Sequence, residues 1–93
     1  MAIGVIVWDL EVVGAQSLKE KRSAVKSLKE RLRERFHVAV AETDHQDLWQ
    51  RAELTACTVS GERRQAERVL QSLDDFVGGD GRVRVIDAYR TYF

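Results

Sequence analysis

The 93-residue chain contains no proline and no asparagine, a single cysteine, Cys57, and only two histidines, His37 and His45. One cysteine closes no internal disulfide and builds no thiolate metal cluster. Chemistry that depends on an asparagine amide or on several thiols is excluded. No apolar run approaches the ~18 residues that a membrane span requires. No leader pattern precedes the first strand-like segment, so a cytoplasmic location is expected. A G-x-x-x-x-G-K phosphate loop is missing too, and Ser60-Gly61 and Gly78-Gly79-Asp80-Gly81 are turns only.

What remains is 44% hydrophobic and 32% charged, a composition that folds, and its length suits one domain spanning residues 1–93. The formal net charge is zero but unevenly spread. Residues 17–35 hold eight of the fifteen basic residues and three of the fifteen acidic ones. Such asymmetry directs attention to an electrostatic binding face.

Residues 2–12 alternate as a strand. Ile6, Trp8, Leu10 and Val12 share one side, and Ile3, Val5, Val7, Asp9 and Glu11 the other. Being apolar on both sides through its first half, this strand suits a central position. Ser17 and Glu20 match a capping box, and the helix they open places Leu18, Val25, Leu28 and Leu32 on one face before ending near Arg35. Phe36–Thr43 is expected as a second strand, Asp44–Gln50 as a loop, and Ala52–Val59 as a third strand. Ser60 is the expected N-cap of a second helix, with Glu62 in its first turn. Ala66, Val69, Leu70, Leu73, Phe76 and Val77 follow the i, i+3, i+4 rule. The glycine run ends that helix, and Arg82–Tyr92 forms a last strand whose facing the pattern leaves open. The order β-α-β-β-α-β, with one apolar stripe per helix, predicts an α+β ferredoxin-like sandwich. Two helices would cover one face of a four-stranded antiparallel sheet.

Three constellations carry possible function. At 100° per residue, Lys19, Arg22, Lys26, Lys29 and Arg33 form a continuous stripe on the first helix, with Glu20, Glu30 and Glu34 on a separate strip. Cations at that spacing suit a phosphate backbone; the alternative is a solvated helix face that shields the core edge. The loop Asp44, His45, Asp47 with Trp49, and Glu42 before it, offers carboxylates and an imidazole in no established metal spacing. It is read as a structural or partner-binding loop, with Asp44 and Asp47 bonding loop amides and His45 bridging them. Trp49 is either an anchor under the hairpin or an exposed contact residue. Third, Val5, Val7, Ala39, Ala41 and Cys57 fall on the sheet face away from the helices, a surface for self-association.

The string Ser17-Leu18-Lys19-Glu20-Lys21-Arg22, with Val25-Lys26-Ser27-Leu28 and Ala41-Glu42-Thr43-Asp44-His45-Gln46-Asp47-Leu48-Trp49-Gln50-Arg51-Ala52, resembles the YlxP-like family of small bacterial proteins of unknown function. The resemblance covers nearly the whole chain and is most specific in D-H-Q-D-L-W-Q-R-A. It implies a ferredoxin-like fold and no assigned reaction. In many bacteria the genes of this family lie near those for translation initiation and ribosome maturation factors, so the resemblance suggests ribosomal work. The expected function is a non-enzymatic RNA- or ribosome-associated module using the helical stripe, without cofactor or metal. The alternative is a protein–protein module, a homodimer through the open sheet, with DHQDLWQ as the partner site. Acylphosphatases, the small enzymes of this fold, need an asparagine to position water, and this chain has none. RNA-recognition-motif stacking is disfavoured because residues 52–59 hold no aromatic and Trp8 is expected to face the helices.

Overall fold

The computed structural model describes all residues, 1–93. Its elements are β1 (Ala2–Val12), α1 (Leu18–Phe36), β2 (Ala39–Asp44), β3 (Arg51–Ser60), α2 (Arg63–Gly78) and β4 (Val83–Tyr92). The sheet order is β2-β3-β1-β4, with every neighbouring pair antiparallel. This is the ferredoxin-like sandwich expected from the sequence. Alternation in β1 sends Ile6, Trp8 and Leu10 into full burial beneath the helices, where Leu28 and Leu32 of α1 and Leu70 and Leu73 of α2 meet them. Trp8 satisfies its indole N–H by donating to Asp74 Oδ1 of α2 at 2.9 Å, so the ring is buried without an orphan donor.

Local chemistry sets the boundaries. Ser17 Oγ accepts the Glu20 amide at 3.1 Å, as the capping box requires. The Glu20 carboxylate reaches back one residue further than the motif predicts, to the Gln16 amide at 2.6 Å. The expected strand start at Phe36 is corrected: Phe36 is the last residue of α1, and β2 begins at Ala39. His37 ends the helix in the left-handed region (φ 55°), donating to Arg33 O, while the Phe36 ring packs edge-on against Phe76 with centroids 5.5 Å apart. Ser60 is not the N-cap of α2. Its Oγ accepts the Glu62 amide in the preceding turn, and Glu62 occupies the cap position without a side-chain bond. Gly4 permits close packing of β1 on α2, since a Cβ there would lie 3.1 Å from Leu70 Cδ1.

The facing of β4 is set by an irregularity. Asp87 pairs with Asp9, but Val85 pairs with Leu10, so Ile86 is an extra residue that reverses the alternation. Ala88 and Tyr92 thereby pack toward the helices, whereas Tyr89 and Phe93 lie on the open face.

The turn before β4 is clamped to α1 by Arg31, whose Nη2 lies 2.6 Å from Asp80 Oδ2. Burial opposes ionisation of Asp80. The Arg31 bond and the Arg82 amide at 2.7 Å outweigh it and hold the carboxyl below its ordinary range. A carboxyl depressed by folding contributes its full stabilisation above its unfolded value of about 3.9 and loses it as pH falls through the lower folded value. Asp80→Asn is expected to cost about 1 kcal/mol at pH 7. The gap from wild type should stay constant down to about pH 4 and close below it. Urea unfolding across pH checks this.

Candidate functional site

The stripe on α1 assembles as the helical spacing requires. Lys19, Arg22, Lys26 and Arg33 are exposed and Lys29 is half-buried. No carboxylate lies within 4.0 Å of any of the five, although other basic side chains of the chain find acidic partners, including Arg31, Arg51, Arg63, Arg84 and Arg90. Glu30, within helical reach of Lys26 and Arg33, forms no ion pair with either. Arg31 and Arg35, which contact Phe76 of α2, lie roughly half a turn around α1 from the stripe. The stripe borders β2 instead, and Arg33 Nη2 donates to Val40 O at 2.6 Å. One of the five cations is therefore tied to an edge-strand carbonyl, and four are free of such ties.

The most consequential residue beside the stripe is one the sequence reading passed over. Lys21 is fully buried. Its ammonium lies 2.5 Å from Glu42 Oε2 and donates to His45 O at 2.8 Å and Gln46 O at 3.2 Å. A buried ammonium is tolerated only when its charge is paired and its protons bonded, and this one has an anion and two carbonyls. The signal was present: Lys21 precedes Val25, Leu28 and Leu32 by four, seven and eleven residues, the spacing of the buried stripe.

Lys21 fastens the loop that follows β2. Glu42 belongs to β2 and is committed to Lys21, which separates it from the loop carboxylates. Asp44 is the last residue of β2 and not the first of the loop as expected; its Oδ1 accepts the His45 amide at 2.8 Å, and His45 takes a left-handed conformation (φ 64°). The expected bridge is corrected: His45 Nδ1 lies 3.9 Å from Asp44 Oδ1, no bond joins His45 to Asp47, and the Asp47 carboxylate accepts from no loop amide. Gln50 fixes the far end of the loop through Nε2 to Ala15 O at 3.0 Å and its own carbonyl to the Val12 amide at 2.8 Å. Between these anchors Leu48 and Trp49 stand 48% and 53% exposed. Trp49 is thus a displayed residue and not an anchor under the hairpin.

The open sheet face is organised in rows. Ala39, Cys57, Val5 and Thr91 form one; Ala41, Thr55, Val7 and Tyr89 the next. Val59, Ile3 and Phe93 close one end. At the other end come an acidic row of Glu53, Asp9 and Asp87 and a mixed row of Arg51, Glu11 and Arg84. Val5, Val7, Ala39, Ala41 and Cys57 all lie on this face as expected. Val7 is a partial correction: flanked by Thr55 and Tyr89, it retains only 8% exposure. Tyr89 (60% exposed) and Phe93 (71%) were missed because the extra residue in β4 hides the facing of that strand.

Residues 3–90 match the profile of the family described as a protein of unknown function (DUF503). The uncharacterized protein YlxP of Bacillus subtilis (strain 168) is 36% identical over 75 residues, covering 81% of this chain and 82% of that protein. Among solved structures, a de novo designed protein with a ferredoxin fold aligns over 100% of this chain and 83% of its own at 13% identity, with a TM-score of 0.49. A dimeric ferredoxin-like protein from an uncultured marine organism aligns over 98% of this chain and 84% of its own, also at 13% identity, with a TM-score of 0.43. The chain belongs to the DUF503 family, whose function is unknown.

Removing the Lys21 charge while keeping its bulk leaves Glu42 facing apolar surface. Lys21→Met is expected to cost about 3 kcal/mol, and the Lys21→Met, Glu42→Gln pair less than the sum of the single changes. Equilibrium unfolding of the four proteins measures the coupling. Additive losses would show that the two groups act independently.

Proposed function

We propose that this member of the DUF503 family is a non-enzymatic, cytoplasmic RNA- or ribosome-binding module that holds phosphates along α1. The observation that carries the reading is the stripe of Lys19, Arg22, Lys26, Lys29 and Arg33 without a carboxylate partner, beside a chain whose other basic side chains include five in ion pairs. Unpaired cations about 5–6 Å apart favour many weak phosphate contacts, each releasing a counterion. Recognition of this kind follows shape and backbone charge, as for structured RNA. The open face supports the same conclusion by contrast: its central strands β1 and β3 carry no aromatic there on which a base would stack.

A second reading, a protein partner at the DHQDLWQ loop, draws on the exposure of Leu48 and Trp49 on a loop anchored at both ends. A rigidly held tryptophan loses little freedom on binding and is a frequent interface anchor.

The two readings separate in a salt series against purified ribosomal subunits and a structured RNA fragment. With four or five phosphates contacted, log affinity should fall against log salt with a slope of roughly −3 to −4. An Arg22→Glu, Lys26→Glu, Lys29→Glu variant leaves the Arg33 bond to Val40 intact and should reduce that slope by about 2 to 3. Trp49→Ala should leave it unchanged. Binding that is insensitive to salt and to the triple change, but abolished by Trp49→Ala, would move the interface to the loop.

A further inference from the structure

We infer that the open sheet face is closed by a second copy of this chain, the two sheets stacking about a two-fold axis parallel to the strands between β1 and β3. Strands of 11, 10 and 10 residues with the six-residue β2, about 4.8 Å apart at about 3.3 Å per residue, present roughly 600 Å² per copy, the low end of what a stable pair buries. The three apolar rows alone give only about 400 Å². A lasting dimer therefore uses the whole face, charged rows included, and the arrangement must satisfy both ends.

Only one of the two face-to-face two-folds does so. With the axis along the strands, each row of one copy meets the same row of the other, β4 lies over β2, and β1 lies over β3. The bulky edge then meets the small edge. Tyr89 of one copy stands over Ala41 of the other, where Ala39, Ala41, Thr55 and Cys57 border a shallow depression of about 220 Å³. Phe93 lies over the end of the sheet where its row has no β2 member, because β2 starts at Ala39. At the charged end, Arg51 of each copy faces Glu11 of the other, a pair made twice by symmetry. The acidic row is the one repulsive element. Within each copy Asp9 is held by Arg51 at 2.6 Å, and Glu53 accepts from Thr43 at 2.6 Å, which tempers it. A two-fold across the strands would instead lay apolar rows on charged rows and seat Tyr89 over β4 of the other copy.

Sedimentation equilibrium at tens of micromolar chain should give twice the 10.6 kDa chain mass. Val59→Lys alters a side chain 69% exposed in the single chain, so folding is spared, and it should weaken the dimer at least ~10-fold. For geometry, Cys57 is replaced by serine and a short bis-maleimide is applied. Ala41→Cys with Tyr89→Cys, three strands apart within one chain, should cross-link two chains, and Tyr89→Cys alone should not. A monomeric mass, or cross-linking by Tyr89→Cys alone, would overturn the arrangement. So would a monomer whose binding to single-stranded RNA falls with Tyr89→Ala, which would make the face a base-stacking surface.

Discussion

The burial of one lysine charge organises the end of this molecule where α1 meets β2. Lys21 sits on the apolar stripe of α1, where its ammonium is shut off from water, so Glu42 and two loop carbonyls must come to it. That requirement fixes the end of β2 against the first turns of α1 and sets the path of the chain after Asp44. The loop beyond β2 is therefore held at its β2 end by this polar cluster, on the helix that carries the stripe, while Gln50 holds its far end. Elsewhere the sandwich rests on ordinary apolar packing, and apart from the Arg31 clamp on the nearly buried Asp80 its remaining ion pairs are half-exposed or surface contacts of modest energetic weight.

The second organising constraint is the alternation of β1. As a central strand it sends Ile6, Trp8 and Leu10 to the helices and Val5 and Val7 to the other side, with Asp9 and Glu11 completing that side. The same period that builds the core also sorts the opposite face into an apolar end and a charged end. Small residues on β2 and aromatic ones on β4 then give the face a direction across the strands. The basic stripe lies along the β2 border of the helical layer, so the two surfaces occupy separate regions.

Most of the fold was legible because each element carried its own period: two in β1 and β3, 3.6 in α1 and α2. Failures came where one residue broke the local rule. Phe36 looks like a strand residue beside Val38 and Val40, but its ring is better used against Phe76 at the end of the helix. Ile86 inserts into β4 and reverses its facing, so no simple alternation reveals that Tyr89 and Phe93 share a face with Val5. Lys21 was hidden by its type. In a basic segment it counted as one more surface charge, although its spacing from Val25 and Leu28 placed it inside. Of the candidate sites, the stripe was readable because helical geometry fixes it, while the display of Trp49 depended on anchors distant in sequence, Lys21 and Ala15.

The contacts that hold the loop have a consequence for how its sequence can change. Lys21 bonds the main-chain carbonyls of His45 and Gln46, groups that every residue type supplies. The clasp itself reads no side chain, although the left-handed backbone at His45 restricts that position and Gln46 Nε2 reaches Glu42 O at 3.4 Å; the tip at Asp47, Leu48 and Trp49 contributes no side-chain hydrogen bond to the fold. Scaffold and tip are separable in the way a frame is separable from what it displays. The positions from 47 to 49 form a natural cassette for grafting foreign peptides onto a rigid support, provided that Lys21, Glu42 and the left-handed residue at 45 are retained beneath them.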